Sequence, residues 1–106
     1  MSKTTVDERA LKSLAKFVLK DLGLANKAEL SIALVTEEQI KELNFKYRGI
    51  NEATDVLAFN LADEEGFDGE IIISPAMAAR EAEEDKLPLI FVIKKLLVHG
   101  ILHLAG

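Results

Sequence analysis

The most apolar stretch of the chain, residues 87–105, limits most strongly what this sequence can fold into. It reads LPLIFVIKKLLVHGILHLA and is long enough to raise the question of a membrane span. A span would carry Lys94, Lys95, His99 and His103 within it, and each of these side chains is costly in lipid. We therefore predict a buried amphipathic helix, against which the rest of the chain must pack.

Length and composition favour one globular domain. The chain has 106 residues, of which 49% are hydrophobic and 29% charged, and these are ordinary values for a folded domain. We expect a single domain over residues 1–106, with no membrane partner. There is no cysteine, so disulfides and thiol nucleophiles are excluded. The first ten residues are polar and contain no apolar signal segment, which predicts a cytoplasmic protein.

The distribution of charge excludes one class of nucleic-acid protein. The net charge is −5, and the acidic excess lies in the second half, where residues 55–106 carry four basic and ten acidic side chains. A protein that coats nucleic acid depends on many phosphate contacts from basic side chains. Binding of RNA through one local site remains open.

Hydrophobic spacing and capping residues predict seven elements in the order α β α β β α α. The helices are expected at 7–22, 37–48, 75–86 and 88–106, and the strands at 30–35, 55–61 and 70–73, with a loop over 62–68. Thr36 and Gln39 have the spacing of a capping box, and Ser74-Pro75 is typical of a helix start. This order predicts an α/β or α+β fold, with one layer of three to four mixed strands covered by helices.

The two histidines are the first candidates for chemistry. His99 and His103 are four residues apart in the predicted last helix, so they lie on one face and can reach one zinc ion at about 2.0–2.1 Å. Imidazole also suits nickel and copper. The alternative is that the two rings pack or are solvated separately. Gly100 between them is costly in a helix, which suggests close approach of another backbone or of a ligand.

Three further blocks accompany the histidine block, and together they resemble a known family. Residues 99–106 (HGILHLAG) resemble the pattern H-G-x-L-H-L-x-G-x-D-H of the YbeY family of rRNA maturation factors. LNFKYR at 43–48 followed by TDVLAF at 54–59 resembles L-N-x-x-Y-R and T-D-V-L-S-F, and GEIIIS at 69–74 resembles G-D/E-I-x-I-S. The resemblance covers residues 28–106. Ala58 and Asn60 depart from the usual serine and proline.

The resemblance implies a metal-dependent, single-strand-specific endoribonuclease that acts in rRNA maturation and ribosome quality control. It implies that His99 and His103 bind one zinc ion, that His99 and Arg48 are catalytic, and that Arg48 also binds substrate. The family's third metal histidine would fall at position 109, so we expect a domain whose C-terminal part is missing. The implied partners are single-stranded rRNA and the ribosomal small subunit or its proteins, without DNA.

Two basic side chains are candidates for contact with RNA phosphate. The guanidinium of Arg48 can hold a phosphodiester through two hydrogen bonds, although a cation at a helix C-terminus also suits the helix dipole. Lys95 shares a helix face with the two histidines, which predicts contact with an anionic substrate. In the alternative, one of the two lysines at 94 and 95 only extends its ammonium group into water.

The mechanism and two rival functions stay open at this point. Zinc with open coordination lowers the pKa of bound water to about 7, and either this water or the ribose 2′-OH would attack the phosphodiester. The main rival is a non-catalytic ribosome-assembly or RNA-docking module, which the absent third ligand and the acidic charge favour. The other rival is a protease with zincin spacing, and Gly100 in place of the usual glutamate speaks against it.

Overall fold

The fold contains the seven elements in the predicted order. The computed structural model describes residues 7–24, 28–62 and 67–106. The elements are α1 (Glu8–Asp21), β1 (Ala28–Leu34), α2 (Glu37–Arg48), β2 (Val56–Asn60), β3 (Phe67–Ile73), α3 (Pro75–Asp85) and α4 (Leu89–Ala105). The predicted α+β class is confirmed, because these helices cover one mixed sheet.

The three strands are arranged in the order β1–β3–β2. β1 runs parallel to β3, and β2 runs antiparallel to it in the predicted hairpin. β3 begins at Phe67, three residues before the predicted start. The expectation that Asp68 belongs to a loop is therefore wrong, because its carbonyl accepts a hydrogen bond from the Leu61 N–H at 2.8 Å, which extends the hairpin. The other predicted loop residues at 63–66 lie outside the described residues.

Local capping fixes the ends of the helices as the sequence predicts. The Thr36 hydroxyl accepts from the Gln39 N–H at 3.1 Å, and the Gln39 side chain accepts from the Thr36 N–H at 2.9 Å, which completes the capping box of α2. Gly49 ends that helix with φ 71°, a left-handed conformation that glycine adopts without strain. Arg48 is thereby fixed as the last helical residue, next to a sharp change in chain direction.

Two apolar cores lie on opposite faces of the sheet. The larger one joins α1, α3 and α4 to the β3 side chains Ile71 and Ile73. The smaller one joins α2 to Leu57 and Ile72. The apolar segment that opened the sequence analysis is α4, and its inner face is buried in the larger core, as predicted. Among the described residues, no single helix has the length and hydropathy of a membrane span; α3 and α4 reach those values only as a pair bent by 115°.

Gly100 sets how closely α4 packs on the sheet. A Cβ atom at this position would lie 3.2 Å from Cδ1 of Ile71 on β3, closer than ordinary van der Waals contact. The predicted close approach is thus real, but its partner is a side chain of the central strand rather than another backbone. Because Ile71 is fully buried, it has little room to yield to a larger residue.

Gly100→Leu should lower the free energy of unfolding by about 1–3 kcal/mol, because the new side chain overpacks the contact with Ile71. Urea unfolding followed by circular dichroism measures the effect. Ala105→Leu is the matched control, since it adds the same side chain to an exposed position of the same helix and should change stability far less. Equal stability of the two variants would contradict the close packing of α4 on β3.

Candidate active site

A shallow cavity lies where α4 crosses β2 beside the end of α2. Its volume is about 150 Å³. The lining residues come from three separate parts of the chain and are Arg48, Val56, Ala58, His99, Gly100 and His103. The fold therefore brings together Arg48 and both histidines, which are about fifty residues apart in sequence.

The histidines reach this cavity because of the pitch of α4. Leu97 and Ile101 are fully buried on the inner face of the helix, whereas His99 and His103 are exposed on the neighbouring flank, one turn apart. Gly100 lies between them in sequence and is buried, so no side chain fills the space beside the rings. Both imidazoles consequently border the same opening, as the spacing predicts.

The floor of the cavity comes from β2. Side chains alternate along a strand, and Leu57 enters the smaller core with α2. Val56 and Ala58 therefore point to the α4 side, where both line the cavity. These two small apolar side chains leave open space between the histidines and Arg48, and they supply no competing charge.

Arg48 is positioned by a polar contact that sequence reasoning did not single out. Asn44 is only 4% exposed, and its Nδ2 donates to the Glu52 carbonyl at 2.9 Å. This bond ties the last turns of α2 to the loop that leads into β2. A signal was available in the sequence, because Asn44 follows the apolar Ile40 by four residues, which puts an amide on the core-facing side of the helix. A buried amide requires a hydrogen-bond partner.

The start of β2 is fixed by a second set of hydrogen bonds. The Ser74 N–H donates to the Asp55 carbonyl at 3.0 Å, which joins the end of β3 to the loop. The Thr54 hydroxyl and the Asp55 carboxylate are 3.4 Å apart and half-buried. The loop at 49–55 is therefore held at both ends, and Arg48 stands at its beginning.

Lys95 is the one predicted site residue that the fold does not bring to the cavity. Its ammonium lies 3.6 Å from Oε2 of Glu81 on α3, and it is not among the lining residues. The alternative from the sequence, an ammonium group that only extends into water, also differs from this position, because the group is paired with Glu81. A role of Lys95 in substrate binding remains a prediction without a contact to support it.

The donor set for a metal consists of the two imidazoles. Within residues 7–24, 28–62 and 67–106, no group of three His, Asp or Glu side chains could hold an ion together. Catalytic zinc sites in proteins have three protein ligands as a rule. His99 and His103 fit two of those positions by chemistry and by spacing, and the described residues supply no third.

A second and larger cavity lies at the other side of the molecule. It measures about 690 Å³ and runs between α1 and β1. Its lining includes three lysines at helical spacing and contains none of the predicted site residues: Lys12, Ala15, Lys16, Leu19, Lys20, Leu30, Ser31 and Ile32. Size alone would favour this groove as the active site, but its lining contains neither an imidazole nor an arginine. The smaller cavity contains both, so it is the better candidate.

Comparisons with known proteins identify the family to which the chain is similar. The chain matches the family model described as Endoribonuclease YbeY over residues 1–106. It is 40% identical to the endoribonuclease YbeY of Sulfurihydrogenibium sp. over 95% of this chain and 68% of the relative. It is 38% identical to the endoribonuclease YbeY of Aquifex aeolicus over 100% of this chain and 72% of the relative.

A solved structure shows the same fold. The solution structure of TM1509 from Thermotoga maritima superposes with a TM-score of 0.69 at 35% sequence identity. The match covers 92% of this chain and 63% of the solved one, so this chain spans less than two thirds of that protein's length.

Asn44→Ala should lower the free energy of unfolding by about 1 kcal/mol, because it removes the hydrogen bond to Glu52. Its more specific effect should be faster hydrogen exchange at the amides of residues 49–55, since the loop loses its tie to α2. Mass-spectrometric exchange measures this, with Glu42→Ala, an exposed change on the same helix, as the control. Unchanged exchange in the loop would show that Asn44 does not position Arg48.

Proposed function

Since the chain belongs to the endoribonuclease YbeY family, we propose that the cavity between α4 and the end of α2 is its active site for the cleavage of single-stranded RNA. The family model is described as an endoribonuclease, and the resemblance of the residue blocks implies metal dependence and a role in rRNA maturation. The observation that carries the proposal is the convergence of Arg48, His99 and His103 on one opening. A cation that can hold a phosphate, beside imidazoles that can hold a Lewis-acid metal, suits phosphodiester cleavage.

Arg48 binds the scissile phosphate in this proposal. Its side chain is exposed at the cavity rim, so it can meet a substrate without first losing a buried partner. The planar guanidinium offers two parallel donors to two phosphate oxygens. As negative charge grows on those oxygens during cleavage, the same hydrogen bonds strengthen and stabilise the transition state.

His99 and His103 hold the metal, for which we propose zinc. A zinc ion held there would supply Lewis-acid polarisation of the phosphate. The two imidazoles act as neutral nitrogen donors and border the same cavity as Arg48, so they can place an ion beside the phosphate that the guanidinium holds.

The size of the cavity defines which part of the substrate it can accept. Its volume of about 150 Å³ is below the roughly 300–1,000 Å³ of ordinary small-molecule sites. It therefore suits one phosphate group, with the bases outside on the protein surface. The floor of Val56 and Ala58 brings no charge of its own to the site.

The proposal extends to partners and location. RNA of the ribosomal small subunit, or the subunit's proteins, is the expected partner, and the cytoplasm is the expected compartment. With a net charge of −5, the chain has no general attraction for polyanions, so recognition must rest on local contacts at Arg48 and its surroundings.

One observation favours a second candidate function. The described residues provide two metal donors rather than three, and a site with weak metal affinity could still dock RNA at Arg48. In that case the same cavity serves a ribosome-assembly module that binds single-stranded RNA without cutting it. Measurement of RNA binding and RNA cleavage on the same preparation separates the two functions.

Arg48→Ala should reduce cleavage of single-stranded RNA by about 10²- to 10³-fold, because the transition state loses its phosphate donors. Arg48→Lys should recover only part of this loss, since an ammonium cannot form the paired hydrogen bonds. The rates are measured with a labelled RNA oligonucleotide and added zinc. Folding is checked by thermal unfolding.

Arg80→Ala provides the matched control, because Arg80 is also an exposed arginine but pairs with Glu37 at 2.6 Å, outside the cavity. It should leave the cleavage rate within a factor of two. Full activity of folded Arg48→Ala would remove Arg48 from the site. RNA binding that depends on Arg48, without any metal-dependent cleavage by the unaltered chain, would establish the docking function instead.

A further inference from the structure

The surface beside the cavity carries aromatic side chains that the proposed chemistry does not use. We propose that Tyr47, supported by Phe59, is a stacking platform for the base next to the phosphate that Arg48 holds. This inference rests on the proposed function and adds a source of preference for single strands. It assigns a binding role to a side chain that is adjacent to Arg48 in sequence.

The three side chains form a continuous path away from the cavity. The guanidinium carbon of Arg48 lies 6.0 Å from the centre of the Phe59 ring. The centres of the Phe59 and Tyr47 rings are 5.1 Å apart, and the ring planes are inclined by 50°. A phosphate on Arg48 therefore has an aromatic surface within about one nucleotide's reach.

The two rings have different roles because their burial differs. Phe59 is partly buried and packs against the smaller core formed by Ile40, Leu57 and Ile72. Tyr47 is 55% exposed, so much of its surface is in water. Phe59 acts as a fixed support on β2, and Tyr47 is the ring that a base can cover.

The Lys46 side chain lies against the Tyr47 ring that we propose as the platform. The Lys46 ammonium lies 5.3 Å from the ring centre, and the lysine side chain is exposed and has a long flexible stem. Base stacking on an aromatic ring is stronger than a cation–π contact in water. An incoming base can displace the ammonium, which then lies close to the RNA backbone and can pair with a phosphate.

A stacking platform explains a preference for single strands in physical terms. The bases of a duplex are stacked on each other and paired, so they cannot lie on a protein ring without unpairing. Unpaired bases stack readily on tyrosine and arginine side chains. Stacking also tolerates any base, which fits a site whose cavity accepts only the phosphate.

The test measures binding of the full chain to a single-stranded 2′-O-methyl RNA oligonucleotide, which is checked to remain intact, by fluorescence anisotropy. Tyr47→Ala should raise the Kd by about 5- to 100-fold. Tyr47→Phe keeps the ring and should bind as the unaltered chain does. The control is Phe45→Ala: Phe45 is 58% exposed and lies about 200° around the same helix, so its loss should leave the Kd unchanged.

A second oligonucleotide series identifies the contact as stacking. One base is replaced by an abasic site at each position in turn. At one position, removal of the base should weaken binding of the unaltered chain about as much as the Tyr47→Ala change weakens binding of the intact strand. Removal of the same base should not weaken binding of Tyr47→Ala any further. This series is informative on the unaltered chain even if Tyr47→Ala proves too unstable to study.

The outcomes separate this inference from the function on which it rests. If Arg48→Ala weakens binding but Tyr47→Ala does not, the proposed stacking role of Tyr47 is wrong, and the proposed phosphate site at Arg48 is retained. If Arg48→Ala binds as tightly as the unaltered chain, the phosphate site is wrong. An equal loss of affinity in Phe45→Ala would also overturn the stacking role. The same holds if an abasic site weakens binding equally in the unaltered chain and in Tyr47→Ala. Absence of any binding would overturn both.

Discussion

The contact between Gly100 of α4 and Ile71 of β3 is the constraint on which the candidate site depends. α4 packs on the sheet at a depth that favours a residue without a side chain, since a Cβ atom at position 100 would be 3.2 Å from Cδ1 of Ile71. His99 and His103 lie on the same helix, so the depth at which α4 packs determines the distance between their rings and β2. A larger residue would both move the helix away and fill the space between the rings. Close packing of the helix and open space at the candidate site both favour glycine at this position, although for different reasons.

The other half of the site depends on the opposite face of the sheet. Arg48 ends α2, which packs on the smaller core, and it reaches the cavity at the edge of the sheet beside β2. Its place is maintained by the capping at Gly49 and by the Asn44 bond to Glu52. The cation and the imidazoles thus belong to layers that are separated by the sheet, and they meet only at this edge. Such an arrangement holds fixed charges in place before a substrate arrives, which is the condition for electrostatic stabilisation of a transition state.

Local sequence signals predicted most of the helices and strands, but they could not predict contacts between distant segments of the chain. Capping residues such as Thr36 and Ser74 fixed helix starts to the residue, and the apolar content of α4 predicted its burial, because these effects act within a few residues. The parallel pairing of β1 with β3 has no local signal, and neither has the early start of β3, since both depend on a partner strand.

Lys95 illustrates the same limit at the site: helical spacing put it on the face of the histidines, but the position of Glu81 on α3 decides where its ammonium lies. The residue blocks that resemble the YbeY family identified Arg48, His99 and His103 together, which no periodicity could have done.

The central claim is that both histidines and Arg48 form one metal-assisted phosphate site, and the two histidines allow a direct measurement. The chain contains no other histidine, so the ring signals of His99 and His103 can be followed by NMR while zinc is added. We predict that both rings shift along one saturation curve that ends at one zinc per chain, and that subsequent addition of a single-stranded oligonucleotide shifts the Arg48 side-chain signal. Independent curves for the two rings, or an Arg48 signal that does not respond to the oligonucleotide, would contradict a shared site.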